Sequence, residues 1–143
     1  MLREMVILVC HAQDGRFADG DRAAVRQVLE TSDQVARVLP LGSDVKQVSC
    51  ADGGRLVLRA PGLDSQRSFH RIDLFPISDW TSAMAELVYD LMREGGFGLV
   101  QDLTTPQFLV TQPQQLTYYP WLPEPPILVR SASELARTLE RAG

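Results

Sequence analysis

Apolar residues along this chain fall into runs of recognisable period. Met5 to Cys10 is an unbroken apolar stretch, the pattern of a strand buried on both faces, and it is expected to lie centrally in a sheet. A polar loop, His11 to Gly20, follows. From Asp21 to Thr31 the apolar residues Val25, Val28 and Leu29 recur at helical spacing. Asp19 or Asp21 can cap that helix, because a carboxylate there accepts backbone N–H groups that have no partner inside the helix. Val35 to Leu39 reads as a short strand closed by Pro40 and Gly42.

The segment Val45 to Pro76 predicts antiparallel sheet. Val45–Ala51 and Arg55–Ala60 flank Asp52-Gly53-Gly54, and glycine supplies the positive φ of a tight hairpin turn. Leu56 and Leu58 alternate with Val57 and Arg59. After Pro61-Gly62, Ser68 to Phe75 gives a further strand, with His70, Ile72 and Leu74 on one face and Phe69, Arg71, Asp73 and Phe75 on the other. Arg71 and Asp73 are expected to form a surface pair.

The strongest helical stripe is Trp80, Met84, Leu87, Val88, Leu91 and Met92, within Asp79 to Glu94. Ser78 is positioned to cap this helix and Gly95-Gly96 to end it. Phe97–Leu103 and Gln107–Thr111 then read as strands, Gln112–Pro126 as a loop, and Ile127–Val129 as a short buried strand. Ser131-x-x-Glu134 is a capping box opening a last helix with Leu135 and Leu139 inward. These elements predict one α+β domain over residues 1–143, a mixed, mainly antiparallel sheet with about three helices packed against it.

Composition narrows the classes. The chain has 143 residues and a formal charge of −4, with Lys46 the single lysine among arginines. Counterion release then offers little to general nucleic-acid binding, and no nucleic-acid partner is expected. The apolar run at residues 5–10 is too short for a membrane span or a signal peptide, so no membrane association is expected and the location expected is cytoplasmic. Cys10 and Cys50 lack metal-ligand spacing and read as buried free thiols, with a bridge between them open if their strands are neighbours.

Candidate chemistry is sparse. His11 follows Cys10, but adjacent strand residues point to opposite faces, which argues against a nucleophile and base pair. Asp14, Asp19 and Asp21 gather three carboxylates without the register of a calcium loop. Neither metal nor cofactor is therefore expected, and no residue is nominated as catalytic. A small hydrolase or transferase using His11 or His70 with a nearby carboxylate stays as the enzyme alternative.

The most distinctive stretch is Glu94 to Val129, which holds no Lys, Arg or His and whose charges are Glu94, Asp102 and Glu124. It carries Gln101, Gln107, Gln112, Gln114 and Gln115, and the aromatics Tyr118, Tyr119 and Trp121 among prolines. Stiffened aromatic side chains of this kind make interface anchors at low entropy cost, and a cation-free face suits a basic partner. Tyr118, Tyr119, Trp121, Glu124, Asp102 and Gln101 are the nominated partner-binding residues. The competing reading folds the three aromatics back over a sheet edge.

The helix Asp79–Gly95, the Gly-Phe-Gly-Leu-Val strand at 96–100 and the Pro/aromatic segment Tyr118–Pro126 together resemble the organisation of small immunity proteins that bacteria keep beside polymorphic or contact-dependent toxins. That resemblance implies a non-catalytic, stoichiometric inhibitor that neutralises a cognate toxin, with a basic toxin domain as protein partner and no cofactor. A homodimeric structural or regulatory subunit using the same aromatic loop is the third possibility, and it predicts an isologous apolar patch.

Overall fold

The computed structural model describes residues 5–101 and 107–142. The apolar run forms β1, Val6–Val9, and the following helix α1 spans Arg22–Thr31. Then come β2, Val35–Gly42, β3, Val45–Cys50, β4, Arg55–Arg59, and β5, Arg71–Pro76. Helix α2, Ser82–Gly95, precedes β6, Gly98–Gln101, and β7, Gln107–Val110. A 3-10 helix at Pro113–Thr117, strand β8, Ile127–Leu128, and helix α3, Ala132–Ala142, complete the described elements.

The strands form one sheet in the order β2-β3-β4-β5-β1-β6-β7-β8, antiparallel throughout except for the parallel β7–β8 pair. With three helices against it, the arrangement is α+β. The first strand lies inside the sheet because each neighbour supplies a full ladder: Val6 pairs with Leu74 of β5, and Ile7 with Val100 of β6. Val6, Leu8 and Cys10 face the helices and join one core with Leu56, Leu58, Ile72, Leu74 and Leu99. The helices contribute Val25, Val28 and Leu29 of α1, the Met84–Met92 stripe of α2, and Leu135 and Leu139 of α3. A second cluster, Phe108, Val110 and Tyr119 with Val100, Leu116, Tyr118 and Leu122 packed on it, lies on the opposite face.

Helix ends follow local chemistry, with one correction. Asp21 caps α1, its carboxylate accepting from Ala24 N–H at 3.0 Å. The cap of α2 is Thr81, which accepts from Met84 N–H at 3.2 Å, whereas Ser78 is drawn away to accept from Arg55 N–H at 2.9 Å. Gly96 ends α2 with φ of 80°, a left-handed conformation that costs glycine nothing.

Three further expectations are corrected. Pro40 does not close β2, which continues to Gly42; β2 is the sheet edge, with register shifts on either side of the proline, so a missing N–H breaks no interior ladder. The strand expected from Ser68 begins only at Arg71, and Phe69 turns into the core against Phe97 at 5.4 Å instead of lying beside Arg71. Asp73 is not a surface residue: it is 1% exposed, with its charge met by two arginines. The cysteines cannot bridge, because β4 and β5 separate β1 from β3. Three inter-strand steps amount to about 14 Å, well beyond disulfide reach.

Candidate functional site

Beyond β1 the chain makes a short excursion and returns to pair His11 with Phe17 in an isolated antiparallel bridge. Ala12 N–H donates to Arg16 O at 2.8 Å and Gly15 N–H to Ala12 O at 2.9 Å. Gly15 has φ of 84°, and a Cβ at that position would meet the Trp121 ring at 2.7 Å. Only glycine satisfies both the turn and the close approach of the indole.

This excursion closes a set of rings around His11. The imidazole is 8% exposed and stacks on Phe17 at 5.0 Å, with Tyr119 at 4.9 Å, Trp121 at 5.1 Å and Phe108 at 5.9 Å around it. Its Nδ1 is buried and has no hydrogen-bond partner among the described residues. Burial, and next the proximity of His70, pull its pKa below the ordinary 6.5 and so favour the neutral imidazole. Phe17 also stacks on His70 at 4.6 Å, and one phenyl ring thus joins the two histidines.

The cation-free loop supplies the other wall. Gln115 is buried and pins the loop: its Oε1 accepts from Thr111 N–H at 3.2 Å and Gln112 N–H at 3.1 Å, while its Nε2 donates to Gly96 O at 3.3 Å. Tyr118 is consequently half-buried and Tyr119, 4% exposed, lies 4.4 Å from Phe108. Gly98 makes room for Tyr119, since a Cβ there would collide with the phenol oxygen. The desolvated phenol has its pKa pushed well above the ordinary 10. Trp121 remains 51% exposed and Phe17 65%, each in ring contact with His11, and Glu124 is exposed.

The nominated residues therefore separate. Tyr119 is a core side chain and Tyr118 packs on the same cluster, as the fold-back reading expects. Trp121 and Glu124 reach the surface. Gln101 lies in β6 opposite Gln107, and Asp102 falls outside the described residues. Phe17 was missed; its sequence signal is a lone aromatic between Arg16 and Ala18 in an otherwise polar loop.

Near His70, the Ser68 Oγ is 3.3 Å from Nδ1 and donates to Asp19 Oδ1 at 3.2 Å, and that carboxylate also accepts from Phe69 N–H at 3.0 Å. The Phe69 bond first, against the effect of burial, and then Ser68 hold Asp19 below the usual carboxylate range. The carboxylate here meets the serine and not the imidazole, so the nucleophile–base–orienter order of a hydrolase triad is absent from this group.

The three loop carboxylates have separate partners: Asp14 with Arg16 at 3.2 Å, Asp19 with Ser68 and Phe69, and Asp21 with Ala24. Among the described residues, no group of three or more His, Cys, Asp or Glu is placed to hold a metal ion. Nor, among them, is any helix long and apolar enough to cross a membrane. Comparison with known proteins finds no matching family model, no matching curated protein and no matching solved structure.

Proposed function

We propose that this chain is a non-catalytic protein-binding module of the immunity-protein kind, which docks on a toxin domain through Phe17 and Trp121. The observation that carries this reading is the pair of large aromatic side chains, 65% and 51% exposed, each packed against a buried imidazole. Leaving two such rings in water is unfavourable for an isolated chain, while aromatic anchors on a stiff scaffold are what hot spots consist of. The loop beside Trp121 is fixed by the buried Gln115 and by its prolines, so little conformational freedom remains to be lost on binding. Exposed Glu124 in a segment without cations favours a basic surface on the partner.

The experiment is protection. The chain is used to capture a partner from the bacterium that encodes it, and the captured domain is then co-expressed with wild-type chain or with the Phe17→Ala/Trp121→Ala double variant. The reading expects rescue of growth by wild type and its loss in a folded double variant. Equal rescue by both would remove these residues from the interface. Recovery of the chain alone, as a dimer that the double variant dissociates, would transfer the patch to self-association.

A further inference from the structure

The sheet face turned away from the helices is basic, although the chain as a whole carries a net charge of −4. Residues paired across strands share a face. The register therefore puts Arg37, Ser49 and Arg55 in one row of that face, and Arg59, Asp73, Ile7 and Val100 in another. Arg71, two residues from Asp73 along β5, is on the same side. All four arginines are exposed, and Asp73 is the single acid at the outward positions of β3, β4 and β5.

Asp73 itself is almost fully buried between two of these arginines. Its Oδ2 accepts from Arg59 Nη2 at 2.6 Å and Nε at 3.2 Å, and its Oδ1 accepts from Arg71 Nε at 2.7 Å. The Arg59 guanidinium also lies 5.8 Å from the centre of the Phe75 ring. One carboxylate thus fixes two guanidinium groups and neutralises one of them. The side chains of Arg59 and Arg71 remain 52% and 47% exposed, and neither Nη of Arg71 bonds to Asp73.

We propose that Arg59 and Arg71, oriented by Asp73, form a binding site for an oxyanion group, carboxylate or phosphoryl, on the open face of the sheet. The paired Nη groups of Arg71 are a planar fork that matches two oxygens of such a group. Because the buried carboxylate already holds the arginines in place, binding loses less side-chain freedom than at a mobile surface arginine. Half-buried Ile7 and Val57 and the exposed ring of Phe75 give the ligand apolar surface beside its charge. This site is independent of the docking reading at Phe17 and Trp121.

The test follows the arginine Nε–Hε resonances by NMR while inorganic phosphate, and separately acetate, is added at constant ionic strength and pH. Saturable shifts of Arg59 and Arg71 are expected, about tenfold weaker in Arg71→Lys, which keeps the charge and loses the fork. Saturation with phosphate alone assigns the site to phosphoryl groups, and saturation with acetate to carboxylates. Shifts that stay linear in the wild-type chain overturn the proposal. So does an Arg71→Lys protein, or an Arg59→Lys protein if the first is unfolded, whose remaining arginine saturates at the wild-type concentration.

Discussion

The carboxylate of Asp52, in the turn between β3 and β4, accepts the backbone N–H of Ala83 in the first turn of α2 at 3.0 Å. Its other oxygen accepts from Thr81 Oγ1 at 2.9 Å and from Gly54 N–H at 3.1 Å. A hairpin turn is thereby fastened to the start of the longest helix, and a negative charge is placed at that helix's positive end. Asp52→Ala should lower stability by about 1–2 kcal/mol at pH 7, in the range of other lost caps. Burial pushes the Asp52 carboxyl up, but the bonds from Ala83, Gly54 and Thr81 outweigh it and leave the pKa below its ordinary value. The contribution is complete above the unfolded value of about 4 and disappears as pH falls through the lower folded value. Urea titrations of both proteins should therefore converge in acid.

Tyr119 and Trp121 are two residues apart and should differ sharply in what truncation costs. Tyr119→Ala removes a ring that is 4% exposed and packed on Phe108, and should cost about 3 kcal/mol or more in stability. Trp121→Ala removes a half-exposed ring and should cost less than about 1 kcal/mol. Paired chemical denaturation curves read the difference. Similar losses would mean that Trp121 belongs to the fold as fully as Tyr119 does.

That contrast also marks how far the sequence could be read. The α2 stripe and the Asp-Gly hairpin were legible, since each depends on residues close in the chain, and so was the interior position of β1 from its unbroken apolar run. For the aromatic loop the sequence left fold-back and exposure both open, because burial of Tyr119 depends on Gly98, brought beneath it by β6, and on Gln115 reaching back to Gly96. Phe17 was hidden for the same reason, because its two imidazole neighbours come from positions six and fifty-three residues away. Pro40 misled because an edge strand tolerates a residue that an inner strand would reject.

His11 should make stability fall with mild acid. Its folded pKa is lowered, so the folded chain holds fewer protons than the unfolded one between that value and 6.5. Stability then rises with pH across this window and is complete above it. Thermal melts from pH 7.5 down to pH 5 should show a wild-type decline that is reduced in His11→Phe, a replacement that keeps a ring among Phe17, Tyr119 and Trp121. Parallel declines in the two proteins would assign the acid sensitivity elsewhere.

Both thiols should be silent in the native state. Burial first, and then Asp19 for Cys10 and Asp52 for Cys50, push each pKa up to about 11, leaving little thiolate at pH 8. A chromogenic disulfide reagent should react with neither until the chain unfolds, and reductant should leave the melting temperature unchanged. Rapid native reaction of either thiol would contradict this burial.

The place of β1 between β5 and β6 also orders events in time. Val6 waits for Leu74, and Val9 for Gly98, before either has its cross-strand partner. During synthesis β1 emerges well before either of its neighbours and is therefore among the last strands to be secured, while the hairpins from β2 to β5 can close behind it as they emerge. Until residues 71–76 appear β1 has two open edges, and until residue 98 appears the edge that β6 covers stays open, so an apolar strand is available to wrong pairing throughout that interval.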